Sequence, residues 1–497
     1  MSRVIEIPAN NEWRFEVHKN TKIKLKLQSG QAECQGTELS STIEYEFKGS
    51  LQNYLYTYQG CKIEIWGKED TDYTEYRSDD SLVYQYLNLA IGLHKLSTPS
   101  KQNDNNSQNA TDKGEAPVVM IIGGPNSGKT TLAKTLVSYL SKLSNNAKRQ
   151  IPTLVNLDPH SPQFVVPGNL TATPISSLLN LENVNFGETV INGVTFYRQK
   201  QPCVVSFGFE SIDSNLKLFK HCVSQLSQTL KQRMNKDLKV GDGVVVLDCP
   251  SSVGTNQELF DFVRACFGVT IVVVVGDERL SVSLKKRGLK VVNGLENANL
   301  KTEVKEEGQM EGIEKTNGSQ NKEKDLQIIK INKSTGCIDK SDRFVRELQQ
   351  RAIKEYFYGL DNVQLNPFTI SVGFNELIIL KPKIDNVNLD FLGGDFDDGS
   401  ITEPSSLYTR VKPGQENLGN CILTIVDDSG VDTMKHLNDF DDYEVNKELI
   451  GQVAGKGVVG SCYVLNSDET RVKLLVPLPV TKLPSKVVIL TEFRYHE

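Results

Sequence analysis

A chain of 497 residues exceeds the roughly 250 to 300 residues at which a single hydrophobic core stops growing, so we expect two to four domains. A hydrophobic content of 38% and a charged content of 24% are those of a globular protein, and the formal net charge of -6 argues against a protein that coats nucleic acid by bulk electrostatics. The cysteines are scattered without a CxxC pair, and no apolar run reaches membrane-spanning length, so we expect an intracellular, soluble protein with reduced thiols.

The first 96 residues predict a small antiparallel β-domain. Runs such as 22–27, 44–47 and 61–66 alternate between apolar and polar side chains and are separated by glycine-containing turns. A helical spacing of apolar residues follows at 81–95 and predicts a helix that bridges two domains. Residues 97–116 contain little that could offset the entropy of ordering, so we expect a flexible linker there.

Residues 117–365 predict an α/β domain with a mostly parallel sheet, because buried-strand patterns alternate with helical patterns. The apolar runs typical of strands buried on both faces occur at 118–122, 153–157, 244–247, 269–275 and 328–331. Residues 301–327 are rich in Lys, Glu, Asn and Gly and predict a disordered surface insertion. A helical pattern over 342–356 closes this domain, and short β-like runs over 366–497 predict a third, β-rich domain.

A phosphate-binding loop is the strongest functional signal. Residues 123–130 read GGPNSGKT and match G-x-x-x-x-G-K-[ST] in full, between a predicted buried strand and a predicted helix. Such glycines let backbone N–H groups surround a triphosphate, while the lysine reaches the β- and γ-phosphates and the threonine hydroxyl ligates Mg²⁺. We therefore predict an ATP site formed by Gly123, Gly124, Pro125, Asn126, Ser127, Gly128, Lys129, Thr130 and Thr131, with Mg²⁺ on Thr130.

The magnesium site also needs a carboxylate at the end of a neighbouring strand. Asp158 follows the predicted strand 153–157, and Asp248 follows the predicted strand 244–247. An aspartate at a strand end is also a common turn or helix-cap residue. Either carboxylate could therefore serve the cation, and the alternative between them stays open at this point.

Short motifs outside the loop are similar to those of a known family. They are GTEL at 36–39, LD at 157–158, PG at 167–168, GDERL at 276–280, KEYFYG at 354–359 and LPSKVVIL at 483–490. With the loop, they resemble the polynucleotide 5'-hydroxyl kinase family, in its branch of mRNA cleavage and polyadenylation subunits, and most closely the fungal form in cleavage factor IA. The matching pieces span all three predicted domains, so the resemblance is to a complete architecture.

The resemblance implies an N-terminal β-sandwich-like domain that packs over the nucleotide base, a central P-loop domain and a C-terminal β-rich domain. It implies a nuclear protein that binds ATP and docks on the scaffold subunit of cleavage factor IA beside the other 3'-end processing subunits, with at most indirect contact to RNA and none to membranes. By the same resemblance Glu12 contacts the nucleotide, and Gln52 stands where the family has a nucleotide-contacting lysine. We place Asp158 with Thr130 in the predicted metal site, with Asp248 as the alternative.

The catalytic motifs of active members are altered in this chain. Their Asp-x-Gly-Gln corresponds to Asp158-Pro-His-Ser161, and their RNA-stacking Trp corresponds to Ser251. Their two lid arginines fall near Lys340 and Val345. Because an arginine over the transferring phosphate contributes a factor of about 10³ or more in rate, the resemblance implies a nucleotide-holding protein without kinase activity.

Three neighbouring residues keep other hypotheses open. Arg343 and Arg346 lie beside the lid positions and could replace the lid arginines, although spaced basic residues on a helix are usually a solvated face. His160 could act as a general base, although the flanking prolines favour a rigid turn. The leading hypothesis is an assembly subunit with structural ATP. The alternatives are an ATP-dependent RNA 5'-hydroxyl kinase and an ATPase switch that remodels its partners.

Overall fold

The computed structural model describes residues 2–67, 73–97, 116–144, 150–182, 201–287, 290–293, 326–360, 363–385, 404–412, 417–438, 442–468, 470–477 and 479–496. Nearly all of the linker predicted at 97–116 and of the insertion predicted at 301–327 lies outside these residues, so both stay predictions.

The N-terminal domain is a sandwich of two antiparallel sheets. Its strands are β1 (Ser2–Ile7), β2 (Asn11–Val17), β3 (Lys22–Gly30), β4 (Glu33–Cys34), β5 (Thr37–Glu38), β6 (Glu44–Lys48), β7 (Leu51–Thr57), β8 (Cys61–Trp66) and β9 (Tyr73–Ser78). One sheet has the order β1-β8-β3-β6 and the other β5-β4-β7-β2-β9. The alternation of apolar and polar residues places the apolar side chains of β3 in the core. Ile23 and Leu25 are fully buried, while Lys22 and Lys24 face solvent.

The central domain contains the elements α1 (Val83–Ser97), β10 (Val118–Gly123), α2 (Lys129–Leu143), β11 (Thr153–Asn156), β12 (Asn169–Pro174), β13 (Cys203–Ser206), α3 (Leu216–Lys236), α4 (Leu238–Gly241), β14 (Val245–Asp248), α5 (Ser251–Thr255), α6 (Gln257–Phe267), β15 (Ile271–Val275), α7 (Glu278–Lys286), β16 (Lys290–Asn293), β17 (Gln327–Ile331) and α8 (Asp342–Tyr358). Its sheet has the order β13-β12-β11-β14-β10-β15-β17-β16.

This sheet is parallel from β11 to β16, whereas β12 and β13 pair antiparallel at one edge. The predicted mostly parallel sheet is therefore confirmed. The parallel strands β10, β14 and β15 lie at its centre and are buried on both faces, which explains why they are continuous apolar runs. Helices α1 and α2 pack together on one face, and Leu93 and Leu136 of this layer are fully buried.

The C-terminal domain contains β18 (Gly359–Leu360), β19 (Val363–Gln364), β20 (Phe368–Gly373), β21 (Ile378–Pro382), β22 (Tyr408–Arg410), β23 (Cys421–Val426), α9 (Thr433–Asn438), α10 (Tyr443–Val453), β24 (Val458–Ser467), β25 (Arg471–Val476) and β26 (Val487–Arg494). Its main sheet has the order β20-β25-β24-β23-β26-β21-β22, as expected for a β-rich domain. Helix α10 was not predicted from the sequence, and it buries Leu449, Ile450 and Val453 in the core shared with the central domain.

Helix α8 ties the N-terminal domain to the central domain. The Glu347 carboxylate accepts hydrogen bonds from Lys19 Nζ at 2.8 Å and from Ser50 Oγ at 2.5 Å. These contacts lower the pKa of Glu347 to about 2, and the hydrogen bond from Lys19 is the largest cause. One turn later, the Arg351 guanidinium donates to the carbonyl oxygens of Lys48 and Glu182, both at 2.9 Å. The N-terminal domain is thus held against the helix that borders the P-loop side of the molecule.

The other side of α8 contacts the C-terminal domain. The Tyr356 hydroxyl accepts a hydrogen bond from the backbone N–H of Ser461 at 3.0 Å, and Gln350 Nε2 donates to the carbonyl oxygen of Arg494 at 2.6 Å. A single helix therefore touches all three domains. None of the described helices is long and apolar enough to cross a membrane.

Candidate nucleotide-binding site

The loop between β10 and α2 has the backbone geometry of a phosphate-binding loop. Gly123, Asn126 and Gly128 have φ angles of 155°, 50° and 92°. A Cβ atom on Gly123 would lie 2.4 Å from the carbonyl oxygen of Val275 on the neighbouring strand, so no larger residue fits. The loop therefore leads the central strand into the N-terminus of α2, where backbone N–H groups and the helix dipole favour an anion.

A cleft of about 920 Å³ lies over this loop. Its floor is formed by Pro125, Asn126, Ser127, Gly128, Lys129, Thr130 and Thr131, whereas Gly123 and Gly124 of the predicted site are not among the lining residues and contact Lys129 through their carbonyl oxygens. The other walls come from the N-terminal domain, the start of α1, the turn 158–162, the loop 334–340 and the first turns of α8. Separate parts of the chain thus enclose the site, and Glu12, Gln52 and Asp158 are among the lining residues.

The Lys129 ammonium is buried at the floor of the cleft. Its Nζ donates hydrogen bonds to the carbonyl oxygens of Gly124 at 2.8 Å and Gly123 at 3.2 Å, and to Ser251 Oγ at 3.3 Å. Burial lowers the pKa of Lys129, and the nearby carboxylates of Asp248 and Asp158 oppose this change. The cation is thus held by its own loop, in a position from which it can reach a phosphate.

The two candidate carboxylates occupy different depths. Asp158 lies on the wall of the cleft, where its Oδ1 accepts a hydrogen bond from the backbone N–H of His160 at 3.1 Å. Asp248 lies beneath the floor, 1% exposed, with the Thr130 hydroxyl within hydrogen-bonding reach. The parallel register that pairs Ile121 with Asp248 places this carboxylate beside the loop. The structure therefore brings both aspartates to the site at different distances from its opening.

Burial is the main cause that raises the pKa of Asp248, to about 6, and the Asp158 carboxylate adds to the rise. A carboxyl group whose pKa is higher in the folded protein contributes stability below its unfolded pKa, and this contribution is lost as the pH rises through the folded value. The neutral substitution Asp248→Asn is therefore expected to stabilise the nucleotide-free protein by about 1 to 3 kcal/mol near pH 7.5, with about half of this difference remaining near pH 5 because that pH is still above the unfolded pKa.

Thermal unfolding of the nucleotide-free protein at both pH values measures this effect. The exposed Asp261, which lies 4.0 Å from Arg264 on the surface of α6, provides the matched control in Asp261→Asn. A melting temperature of Asp248→Asn that is equal to or below that of the wild type near pH 7.5 would contradict the prediction.

The N-terminal domain contributes an ion pair to the cleft. Glu12 is buried and pairs with the Arg14 guanidinium, whose Nη2 also donates to the carbonyl oxygen of Asp80 at 3.2 Å. Gln52 lies on β7 opposite Glu16 and lines the cleft, at the position where the family has a lysine.

Arg14 and Lys134 were not predicted from the sequence, although both line the cleft. Burial lowers the pKa of Lys134 to about 8.

The loop before α8 closes the cleft from above. A Cβ atom on Gly128 would lie 3.0 Å from Cys337 Sγ, and one on Gly336 would lie 2.7 Å from Arg14 Nε. The loop is therefore in contact with both the phosphate-binding loop and the N-terminal domain. Lys340 also lines the cleft. Burial of its ammonium group lowers its pKa, and the nearby carboxylates of Asp158 and Asp248 partly oppose this change.

Helix α8 presents apolar side chains to the cleft and directs its arginines elsewhere. Phe344, Val345 and Leu348 line the cleft. The Arg343 side chain is 80% exposed and its Nε donates to Glu347 Oε1 at 3.2 Å. Arg346 is exposed, and its Nε donates to the carbonyl oxygen of Asp342 at 3.4 Å. In this arrangement the two arginines belong to the helix surface.

His160 and Ser161 line the cleft on the turn after β11. His160 Nδ1 lies 3.2 Å from Glu210 Oε1, and its carbonyl oxygen accepts a hydrogen bond from Gln349 Nε2 at 3.0 Å. The imidazole thus lies beside a surface carboxylate, while the backbone of its turn is bound by a side chain of α8. Ser251 begins α5 and contacts Lys129, so the position of the family's stacking Trp carries a small hydroxyl.

The chain is similar over its full length to curated fungal proteins called mRNA cleavage and polyadenylation factor CLP1. It is 31% identical to the Debaryomyces hansenii protein, covering 100% of this chain and 95% of the relative. The Scheffersomyces stipitis protein is 33% identical, with 88% of each chain covered. This chain belongs to the CLP1 family. The family resemblance seen in the sequence is thereby confirmed, and the central domain is a P-loop domain.

Family models divide the chain in the same way as the structure. The N-terminal beta-sandwich domain of polyadenylation factor matches residues 6–98, the CLP1 P-loop model matches 123–311, and the model of the pre-mRNA cleavage complex II protein Clp1 matches 365–497. A solved complex of wild-type Clp1p with a fragment of Pcf11p is similar at a TM-score of 0.74 and 27% identity, covering 100% of this chain and 99% of Clp1p. A second structure, at 26% identity, concerns the Pcf11p–Clp1p interface and ATP loss in a point mutant.

Proposed function

We propose that this protein is the ATP-binding subunit of the nuclear machinery that cleaves and polyadenylates pre-mRNA 3' ends, and that its nucleotide supports assembly instead of being a substrate. The observation that carries the proposal is the enclosed P-loop cleft. A complete phosphate-binding loop is covered by a second domain and a closing loop, while the helix that borders the cleft presents Val345 to it and directs Arg343 away.

The residues present fit a nucleotide with a divalent cation. The Ser127 hydroxyl is buried and has no hydrogen-bond partner among the residues that the structure describes, which suits a loop that wraps a phosphate. Lys129 supplies a positive charge, and Thr130 and Asp158 supply oxygen ligands of the kind that Mg²⁺ prefers. A bound cation would neutralise phosphate charge and offset the cost of the buried carboxylates.

The same geometry explains how a nucleotide could support assembly. A ligand in the cleft touches the P-loop, the N-terminal domain and the first turns of α8, whose later turns contact the C-terminal domain. Ligand binding to the folded form stabilises every interface that the ligand bridges. Since the related Clp1p was solved with a Pcf11p fragment, we propose a scaffold subunit of that kind as the partner of this chain.

The direct test is the nucleotide content of the purified protein. A nucleotide bridged by three parts of the chain should dissociate slowly, so we expect about one ATP for each protein molecule after purification, with magnesium present. Acid extraction followed by ion-exchange chromatography measures the nucleotide, and elemental analysis measures the metal. Fully folded protein that is free of nucleotide would overturn the proposal, whereas recovery of mostly ADP would favour an ATPase switch.

A further inference from the structure

A buried glutamine lies behind the phosphate-binding loop and is not part of the sequence motifs. Gln163 is 0% exposed, and its Nε2 donates a hydrogen bond to Asp248 Oδ2 at 2.9 Å. Asp248 in turn lies within hydrogen-bonding reach of the Thr130 hydroxyl. The three side chains therefore form a connected series from the interior of the domain to the floor of the cleft.

The backbone at this place is held in an uncommon conformation. Phe164, the next residue, has a φ of 68° although it is a bulky residue that is 1% exposed. A bulky non-glycine residue in the left-handed region is unfavourable and persists only where the surrounding structure requires it. Its ring packs in the core with Leu154 and Ile175, so the turn directs Phe164 into that core while Gln163 contacts Asp248.

The second polar atom of the glutamine is not satisfied by the protein. Gln163 Oε1 is buried and has no hydrogen-bond partner among the described residues. An apolar side chain of similar length would fill the same space without leaving a buried acceptor unpaired, and such replacements are often neutral or stabilising. The amide is thus not explained by packing. Its contact with Asp248 is the feature that distinguishes it from an apolar residue.

We infer that Gln163 is a positioning residue for the cation site: it fixes the Asp248 carboxylate beneath Thr130, and thereby sets the affinity of the site for the divalent cation that accompanies the nucleotide. The inference rests on the proposed function, since it concerns the same site. Thr130 can present an oxygen lone pair to a cation while its hydroxyl donates a hydrogen bond to Asp248, and this bond requires the Asp248 carboxylate to face Thr130. Partners one step removed from a metal ligand typically contribute 10- to 100-fold in affinity.

The test is a Mg²⁺ titration of thermal stability in the presence of excess ATP, carried out on the full chain. The midpoint of stabilisation by Mg²⁺ is compared between the wild type, Gln163→Met and the control Thr173→Val. Thr173 is equally buried in the same domain and its hydroxyl has no partner within the part of the chain that the structure describes, so its replacement changes a buried polar atom away from Asp248. We expect Gln163→Met to raise the Mg²⁺ midpoint about tenfold and Thr173→Val to leave it unchanged.

A double variant separates positioning from packing. If Gln163 acts through Asp248, adding Gln163→Met to Asp248→Asn should not raise the Mg²⁺ midpoint beyond that of Asp248→Asn alone. Should Gln163→Met fail to fold, Gln163→Asn withdraws the amide by one methylene and is expected to change the midpoint in the same direction. A midpoint within twofold of the wild type in the folded variant would overturn the inference, even if its melting temperature without nucleotide is lower.

The wild-type titration distinguishes this failure from that of the proposed function. A wild-type protein that ATP does not stabilise at any Mg²⁺ concentration would overturn both. A wild type that ATP stabilises equally with and without Mg²⁺ would leave the nucleotide role intact and overturn the inference about the cation.

Discussion

The double substitution Lys129→Ala/Thr130→Ala is expected to abolish nucleotide binding and to lower the melting temperature by about 10 °C. Lys129 is the buried cation at the floor of the cleft, and Thr130 is the hydroxyl that connects the floor to Asp248. A ligand present at about 1,000 times its dissociation constant contributes about 4 kcal/mol to stability, and this contribution disappears with the ligand. For a domain of this size, 1 kcal/mol corresponds to about 2 to 4 °C.

The measurement combines extraction of nucleotide with thermal unfolding and with binding to the scaffold partner. The pair Ser141→Ala/Lys142→Ala is the matched control, because it removes a hydroxyl and an ammonium group from the same helix at a distance from the cleft. Lys142 pairs with the exposed Glu38, and exposed ion pairs contribute little. If the Lys129→Ala/Thr130→Ala protein lacks nucleotide but melts and binds its partner like the wild type, the structural role of ATP is wrong.

The second large effect is the absence of RNA 5'-hydroxyl kinase activity. We expect transfer of phosphate from ATP to RNA to be at least about 10³-fold slower than in an active family member. The reason is that transition-state charge would develop beside Val345 and the other apolar residues of α8, while the Arg343 guanidinium is engaged by Glu347 on the surface. The small Ser251 also offers no ring on which a base could stack, a contact of about 1 to 3 kcal/mol.

Transfer of labelled γ-phosphate to a 5'-hydroxyl oligoribonucleotide at saturating concentrations measures this activity. Lys129→Ala provides the background, and an active kinase of the family provides the upper reference. Turnover within about tenfold of that reference, lost in Lys129→Ala and in Arg343→Ala, would show that α8 rearranges to bring an arginine over the phosphate. The kinase hypothesis would then replace the assembly hypothesis.

The P-loop and the fold class could be predicted because their signals are local. The glycines, lysine and threonine of 123–130 are contiguous, and the strand and helix on either side are visible as changes in hydrophobic period. Alternation of buried strands and helices likewise predicts a mostly parallel sheet. The helix α10 was missed, since its apolar residues Leu449, Ile450 and Val453 make a short stripe within a segment dominated by strands.

The sequence alone identified the phosphate-binding loop, because its motif is one continuous segment. Only the tertiary structure decided which distant residues surround that segment. Arg14, Lys340 and Gln163 reach the site from different elements. Their convergence depends on sheet order and on the docking of the N-terminal domain against α8. Neither feature produces a hydrophobic pattern that can be recognised in the sequence. For the same reason Asp158 and Asp248 were indistinguishable in the sequence, whereas the structure places one on the wall of the cleft and the other beneath Thr130.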